Sequence, residues 1–255
     1  MRTAFSSTGN SGEILFILDL LSMDAIACRH PICGPVSIDA GQYHRLTAAR
    51  AEQRGQTMTA YLIATIDVHD TDGYEAYKLA ASALIKHHGG RYVVRGGSRD
   101  TVEGTWPAGR IVVVEFPDLA HANAFADDPS YEPVAAIRHA TAQSHIWIVE
   151  GPPDGANARG QKAFIIGSIR MTDPDGYKPY ADRAPDILAA TGGTYLARGG
   201  ATRSVEGGME LDRMVIVAFE DMAACRAFYD GTDYSDIKPI RIAASDSNIV
   251  ITEGL

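Results

Sequence analysis

Cysteine, tryptophan and basic charge are all scarce in this chain. Of its 255 residues only Cys28, Cys33 and Cys225 are cysteines. So odd and scattered a set excludes a dense disulfide scaffold and suits a reducing compartment, and a cytoplasmic location is expected. Lysines and arginines number 23 against 32 acidic residues, a formal net charge of −9. Without a basic excess there are few counterions to release from a phosphate surface, so neither nucleic acid nor an anionic membrane is an expected partner. Long apolar runs are missing as well. The longest, Ile14 to Leu21, is interrupted by Asp19, whereas a bilayer span takes about 20 apolar residues. That run is also a poor signal peptide, with Arg2 its only early positive charge and no clean small-x-small site after it. No GxGxxG or Walker pattern is present, which removes the usual glycine cradles for phosphate.

What is present is a repeat. Shifting the chain by about 103 residues aligns 60–151 with 163–254 without a gap, and about 36 of 92 positions are identical. The period is too long for a solenoid unit and suits duplication of a whole small domain. Residues 58–151 are therefore read as one domain, 161–255 as a second, and the glycine- and proline-rich stretch 152–160 as the linker. Residues 1–57 match neither copy and are read as an optional or disordered extension. Cys28, His30 and Cys33 in it lack a fourth ligand and paired spacing, so no metal site is expected.

Each copy reads β-α-β-β-α-β. Tyr61 to Val68 is apolar at successive positions, the pattern of a strand buried on both faces. Asp70 is placed to cap a helix whose stripe is Tyr74, Tyr77, Ala81, Leu84 and Ile85, and Gly89-Gly90 ends it. Strands are expected over Tyr92 to Arg95, Arg110 to Phe116 and Ser144 to Val149, with a helix from Asp118 to Ala126 and a short one near Tyr131 to Ala140. In the second copy Asp173-Pro174 is a strong helix start. Pro179 and Pro185 then fall where helix should continue, which predicts a kink or a late start. A sheet of this order carries both helices on one face and leaves the other bare. Two fused copies can cover each other, so the expected fold is α+β: two tandem ferredoxin-like domains whose sheets pack face to face into an intramolecular barrel, a pseudo-dimer in one chain. Further homo-oligomerisation is left open. The same element order occurs in RNA-recognition domains, but the acidic charge and the missing aromatic RNP pattern argue against that use.

The run from Gly89 through Arg95-Gly96-Gly97, then Val102-Glu103-Gly104-Thr105-Trp106-Pro107, the strand Arg110 to Phe116 and a terminal Val149-Glu150-Gly151 resemble domain of unknown function 1330, a family of the dimeric α/β-barrel superfamily. Gly192 to Gly200 and Val205-Glu206-Gly207 carry the likeness in the second copy; Met209-Glu210 departs from Trp106-Pro107. The resemblance implies the barrel fold. Relatives in the superfamily include cofactor-free monooxygenases, lactone isomerases and haem enzymes, and fold alone does not choose among them.

Three polar features recur in both copies: Arg95 and Arg198 before paired glycines, Glu103 and Glu206 in the loop that follows, and Arg138 and Arg241 in the short helix. An arginine beside glycines can clamp a carboxylate or enolate while a glutamate moves a proton. Equally, each arginine can pair with a glutamate to fix that loop. Tyr74 and Tyr77, with Tyr177 and Tyr180, either pack on the sheet or present phenols to a substrate. All six domain histidines, and both Trp106 and Trp147, lie in the first copy. Strand alternation puts His145 with Trp147 on the barrel face, where His145 is a candidate general base. The reading is a cofactor-independent small-molecule enzyme (isomerase, cyclase or oxygenase) with its site in the barrel interior: Arg95, Glu103 and His145 catalytic, and Tyr74, Tyr77, Trp147, Arg138, Arg198 and Glu206 binding the substrate. The alternative is a non-catalytic small-molecule-binding or protein-interaction module.

Overall fold

The structure is a computed structural model that describes residues 58–207 and 213–255. The expectations for the extension 1–57, with Cys28, His30 and Cys33, and for Met209-Glu210 lie outside the described residues. In the first copy β1 (Ala60–Val68), α1 (Thr71–His87), β2 (Arg91–Arg95), β3 (Arg99–Glu103), β4 (Arg110–Phe116), α2 (Leu119–Ala126), α3 (Glu132–Thr141) and β5 (Ala142–Glu150) follow in order. The second repeats them as β6 (Ala163–Met171), α4 (Pro174–Ala190), β7 (Thr194–Arg198), β8 (Thr202–Glu206), β9 (Arg213–Phe219), α5 (Met222–Tyr229), α6 (Thr232–Ala244) and β10 (Ser245–Glu253). Among the described residues no helix is long and apolar enough to cross a membrane.

The helix signals act as read. Asp70 accepts from the Gly73 amide and Asp173 from the Gly176 amide, each satisfying one of the donors left open at a helix start. Gly89 and Gly192 follow α1 and α4 with φ of 75° and 76°, the left-handed turn that favours glycine. The prolines of α4 do not delay it: Pro174–Ala190 is one helix with Pro179 and Pro185 inside. Proline 185 cannot donate to the carbonyl of residue 181, and Arg198 Nη2 donates to the Ala181 carbonyl instead, at 2.7 Å.

Each copy has five strands, one more than expected, and the extra strand crosses over. The sheets run β2-β4-β1-β5-β8 and β3-β10-β6-β9-β7. Thus β8 of the second copy pairs antiparallel with β5 of the first, Trp147 opposite Ser204, and β3 pairs with β10, Ile251 opposite Asp100. The Arg-Gly-Gly signature marks the crossing. Gly96 and Gly199 have φ of 73° and 76°, and a Cβ on either would stand 2.7 Å from the Nε of Arg110 or Arg213 beneath it. A Cβ on Gly200 would stand 2.6 Å from the Glu150 carbonyl oxygen of the other copy. The glycines let the chain turn and lie against the neighbouring sheet.

Alternation along β1 serves two cores. Tyr61 and Ile63 meet Trp147, Val149, Phe164, Ile166, Met214, Ile216 and Val250 between the sheets. Leu62, Ala64 and Ile66 meet α1, α2 and the segment between α2 and α3 through Tyr74, Tyr77, Ala81, Phe125 and Tyr131. Trp147, Phe164 and Ile166 are fully buried, and each such side chain contributes roughly 1.5–3 kcal/mol. The two domains thus form an intramolecular barrel whose middle is filled by side chains of both.

Candidate functional site

The crossing strands carry the recurrent glutamates, which stand at strand ends and not in a loop. Glu206 ends β8 and meets Arg138 of α3: Arg138 Nη1 and Nη2 reach its two oxygens at 2.5 and 2.8 Å. Ser144 donates to it at 2.6 Å and the His139 ring lies 2.8 Å away. Glu103 ends β3 and meets Arg241 of α6 at 2.6 and 3.0 Å, with the Tyr229 hydroxyl donating at 2.5 Å. Burial raises both carboxyls. The hydrogen bonds around them outweigh it, holding Glu103 below the ordinary range and Glu206 down to about 2. Arg138 and Arg241 are 1% and 0% exposed and their glutamates are partly exposed, so each latch between the copies sets a buried guanidinium against a half-buried carboxylate. The pairing of Arg95 with Glu103, and of Arg198 with Glu206, does not occur. Each glutamate takes the arginine of the other copy's short helix, because its strand has left its own sheet.

His145 and Trp147 stack, ring centres 5.9 Å apart and nearly parallel. Trp147 is sealed in the inter-sheet core while His145 is half-buried at its margin beside Gly207. Buried apolar side chains of both copies pack the inter-sheet space around them, and a cleft lies on the helix side of each sheet.

There, a cleft of about 30 Å³ runs between α1 and the first sheet, lined by Tyr74, Tyr77, Tyr92 and Tyr131, with Lys78, Arg95 and Arg110 as its cations. Its counterpart under α4, about 40 Å³, is lined by Tyr177, Tyr180, Tyr195 and Tyr234, with Arg198, Arg213 and Arg241. The four tyrosines and the first two arginines correspond at the repeat offset. Aliphatic and phenylalanine side chains supply most of the remaining walls, and neither cleft is lined by a carboxylate or a histidine.

At the mouth, Arg95 lies over the Tyr92 ring at 4.5 Å and donates to Ser82 Oγ at 3.0 Å. Arg110 Nη2 donates to the Arg95 carbonyl at 2.6 Å, and its buried Nε has no partner among the described residues. Deeper, the Tyr77 and Tyr131 hydroxyls are 3.3 Å apart. Burial raises the Tyr74 phenol to about 12, against the pull of Arg110 and Arg138, and lifts Tyr77 well above the ordinary phenol. Tyr74 and Tyr77 are thus neutral phenols beside fixed positive charge. Of the residues singled out in the sequence, the first cleft gathers Tyr74, Tyr77 and Arg95 and the second Tyr177, Tyr180, Arg198 and Arg241, while Glu103, Glu206, Arg138, His145 and Trp147 stand elsewhere. Sequence reasoning missed Tyr92, Tyr131 and Arg110. Their persistence as Tyr195, Tyr234 and Arg213 was the signal that could have found them.

The profile of one family, domain of unknown function (DUF1330), matches residues 59–152 and again 162–255. The chain belongs to this family. Among curated proteins none matches the sequence significantly. Solved structures similar to the two DUF1330 domains include a mutant chlorite dismutase from Candidatus Nitrospira defluvii, 10% identical over 77% of this chain and 91% of that one, TM-score 0.45. Two smaller ones are similar to part of the chain. SnoaB, a cofactor-independent oxygenase from Streptomyces nogalater, is 14% identical over 36% of this chain and 91% of its own, TM-score 0.26. A protein of unknown function from Rhodopseudomonas palustris is 16% identical over 47% and 98%, TM-score 0.31. At such scores these likenesses say nothing about activity.

Proposed function

We propose that the protein binds small carboxylate-bearing molecules, one in the helix–sheet cleft of each domain. The observation that carries this reading is the tyrosine quartet and arginine pair kept position for position in both clefts, neither of which is lined by an acidic side chain. A guanidinium at the mouth suits a carboxylate, neutral phenols donate to its oxygens, and the aliphatic floor takes a short carbon chain. Volumes of about 30 and 40 Å³ hold only a few waters, which points to ligands of a few heavy atoms. The one described free cysteine, buried Cys225, suits a reducing cytoplasm. Calorimetric titration of short carboxylic acids should give millimolar or tighter binding that Arg110→Ala and Arg213→Ala together weaken at least tenfold. Undiminished binding in that folded double variant would sink the proposal.

A cofactor-independent isomerase, cyclase or oxygenase is the second reading, favoured by the Tyr74 hydroxyl, which has no partner among the described residues and is poised to donate to an enolate. It requires a base that the cleft lining does not supply. Deuterium exchange at the α-carbon of acetoacetate decides between the two. Binding alone leaves the exchange rate at its solution value, whereas enhancement that Tyr74→Phe abolishes supports catalysis.

A further inference from the structure

We infer that the two clefts select different carboxylates: the first a short dicarboxylate, the second a monocarboxylate. This rests on the carboxylate-binding reading and adds that the duplicated sites have diverged in charge. Position 78 is Lys78 in the first cleft and becomes Ala181 in the second. Lys78 pairs with Glu75 at 2.5 Å, but the two side chains are 30% and 61% exposed. So exposed a pair is weak and yields readily to a buried ligand anion. In the second copy the residue matching Glu75 is Lys178, which pairs outward with Asp182 on the helix surface and does not line the cleft.

The arginines differ too. Arg95 donates to the hydroxyl of Ser82, a contact a carboxylate can replace at little cost. In the second copy Pro185 stands at that position, and Arg198 is bound instead to the Ala181 carbonyl, which would be left without a donor if Arg198 turned away. Arg241 lines the second cleft, but its charge is already met by Glu103. The first cleft therefore offers three cations, Lys78, Arg95 and Arg110, of which only Lys78 has an acidic partner, the exposed Glu75. The second has Arg213 free of an acidic partner, with Arg198 committed to the helix. Gly167 in place of Ala64 gives the second floor slightly more room for carbon.

Malonate and propionate, equal in carbon number and different in charge, are the probes, titrated calorimetrically at constant ionic strength into the full chain. Arg213→Ala isolates the first cleft and should bind malonate at least tenfold tighter than propionate. Arg110→Ala isolates the second and should show no preference for malonate. Should either variant melt early, Lys78→Ala and Ala181→Lys serve in the otherwise intact chain. The first should abolish the high-affinity malonate site, and the second should create another, doubling its stoichiometry. Equal preference in both clefts, or a malonate site that survives Lys78→Ala, overturns the divergence while leaving carboxylate binding standing. Failure of both acids to bind any form at millimolar concentration overturns the carboxylate reading itself.

Discussion

At the scale of single residues, the latches set the acid response. Glu206 is held at about 2 against an ordinary 4.5, a folded-state value below the unfolded one. Its ionisation therefore adds stability that is complete above about pH 5 and drains away as the pH falls through 4.5 towards 2. Urea unfolding from pH 7 to pH 2 should show this loss, and Glu206→Gln should flatten it. A Gln variant that loses stability with acid as steeply as the parent would contradict the assignment. Glu206→Ala leaves the guanidinium of Arg138 buried without its counter-ion and should cost on the order of 3–5 kcal/mol. Gly96 is the other sensitive position. Its φ of 73° makes any side chain unfavourable by about 1–2 kcal/mol. Gly96→Ala should lower the melting temperature and also disturb Arg110, visible as weaker carboxylate binding. The repeat drew attention to these residues, but it could not separate latch from cleft. Arg95 and Arg138 persist equally in the sequence and differ only in what faces them.

At the scale of elements, α4 shows how a helix survives a proline. The carbonyl that Pro185 strands at residue 181 is met by Arg198, while in α1 the matching arginine reaches Ser82, whose hydroxyl donates to the Lys78 carbonyl at 2.6 Å. The two copies thus serve the same carbonyl position by different routes. Arg198→Ala should cost about 1 kcal/mol. In a Pro185→Ala background the restored amide supplies the missing donor, so the same change should cost close to nothing. Denaturation of the four proteins of this cycle measures the coupling, and strict additivity would mean that arginine and proline are unconnected. The helix starts at Asp70 and Asp173, the glycine stops and the two-sided burial of β1 were all legible because each depends on neighbours a few residues away. Strand β3 was not. Its sequence Arg99–Glu103 is polar and half-exposed, which is the pattern of an edge strand and reads equally well as a loop.

At the scale of the molecule, each domain lends its β3 or β8 to the other's sheet, so neither sheet is complete within its own copy. Residues 58–151 expressed alone would expose the inter-sheet faces of Tyr61, Ile63, Trp147 and Val149 together with an unpaired β5 edge. That fragment should dimerise by the same exchange, two chains taking the places of the two copies. Sedimentation at micromolar concentration is the check, and a stable folded monomer would show that the crossing strands are dispensable.

The repeat, the element order and the bare sheet face are properties of the local pattern, and they determined that two α+β domains would close on each other in one chain. Where the recurrent polar residues went was decided by tertiary structure. The crossing strands carried Glu103 and Glu206 away from Arg95 and Arg198, and the large side chains of both copies filled the space between the sheets. Clefts remain under the helices, where burial of Tyr74 and Tyr77 beside fixed guanidinium groups makes a site. Sequence distance carries no record of such a crossing, because the contacts of β3 with β10 lie about 150 residues apart in the chain.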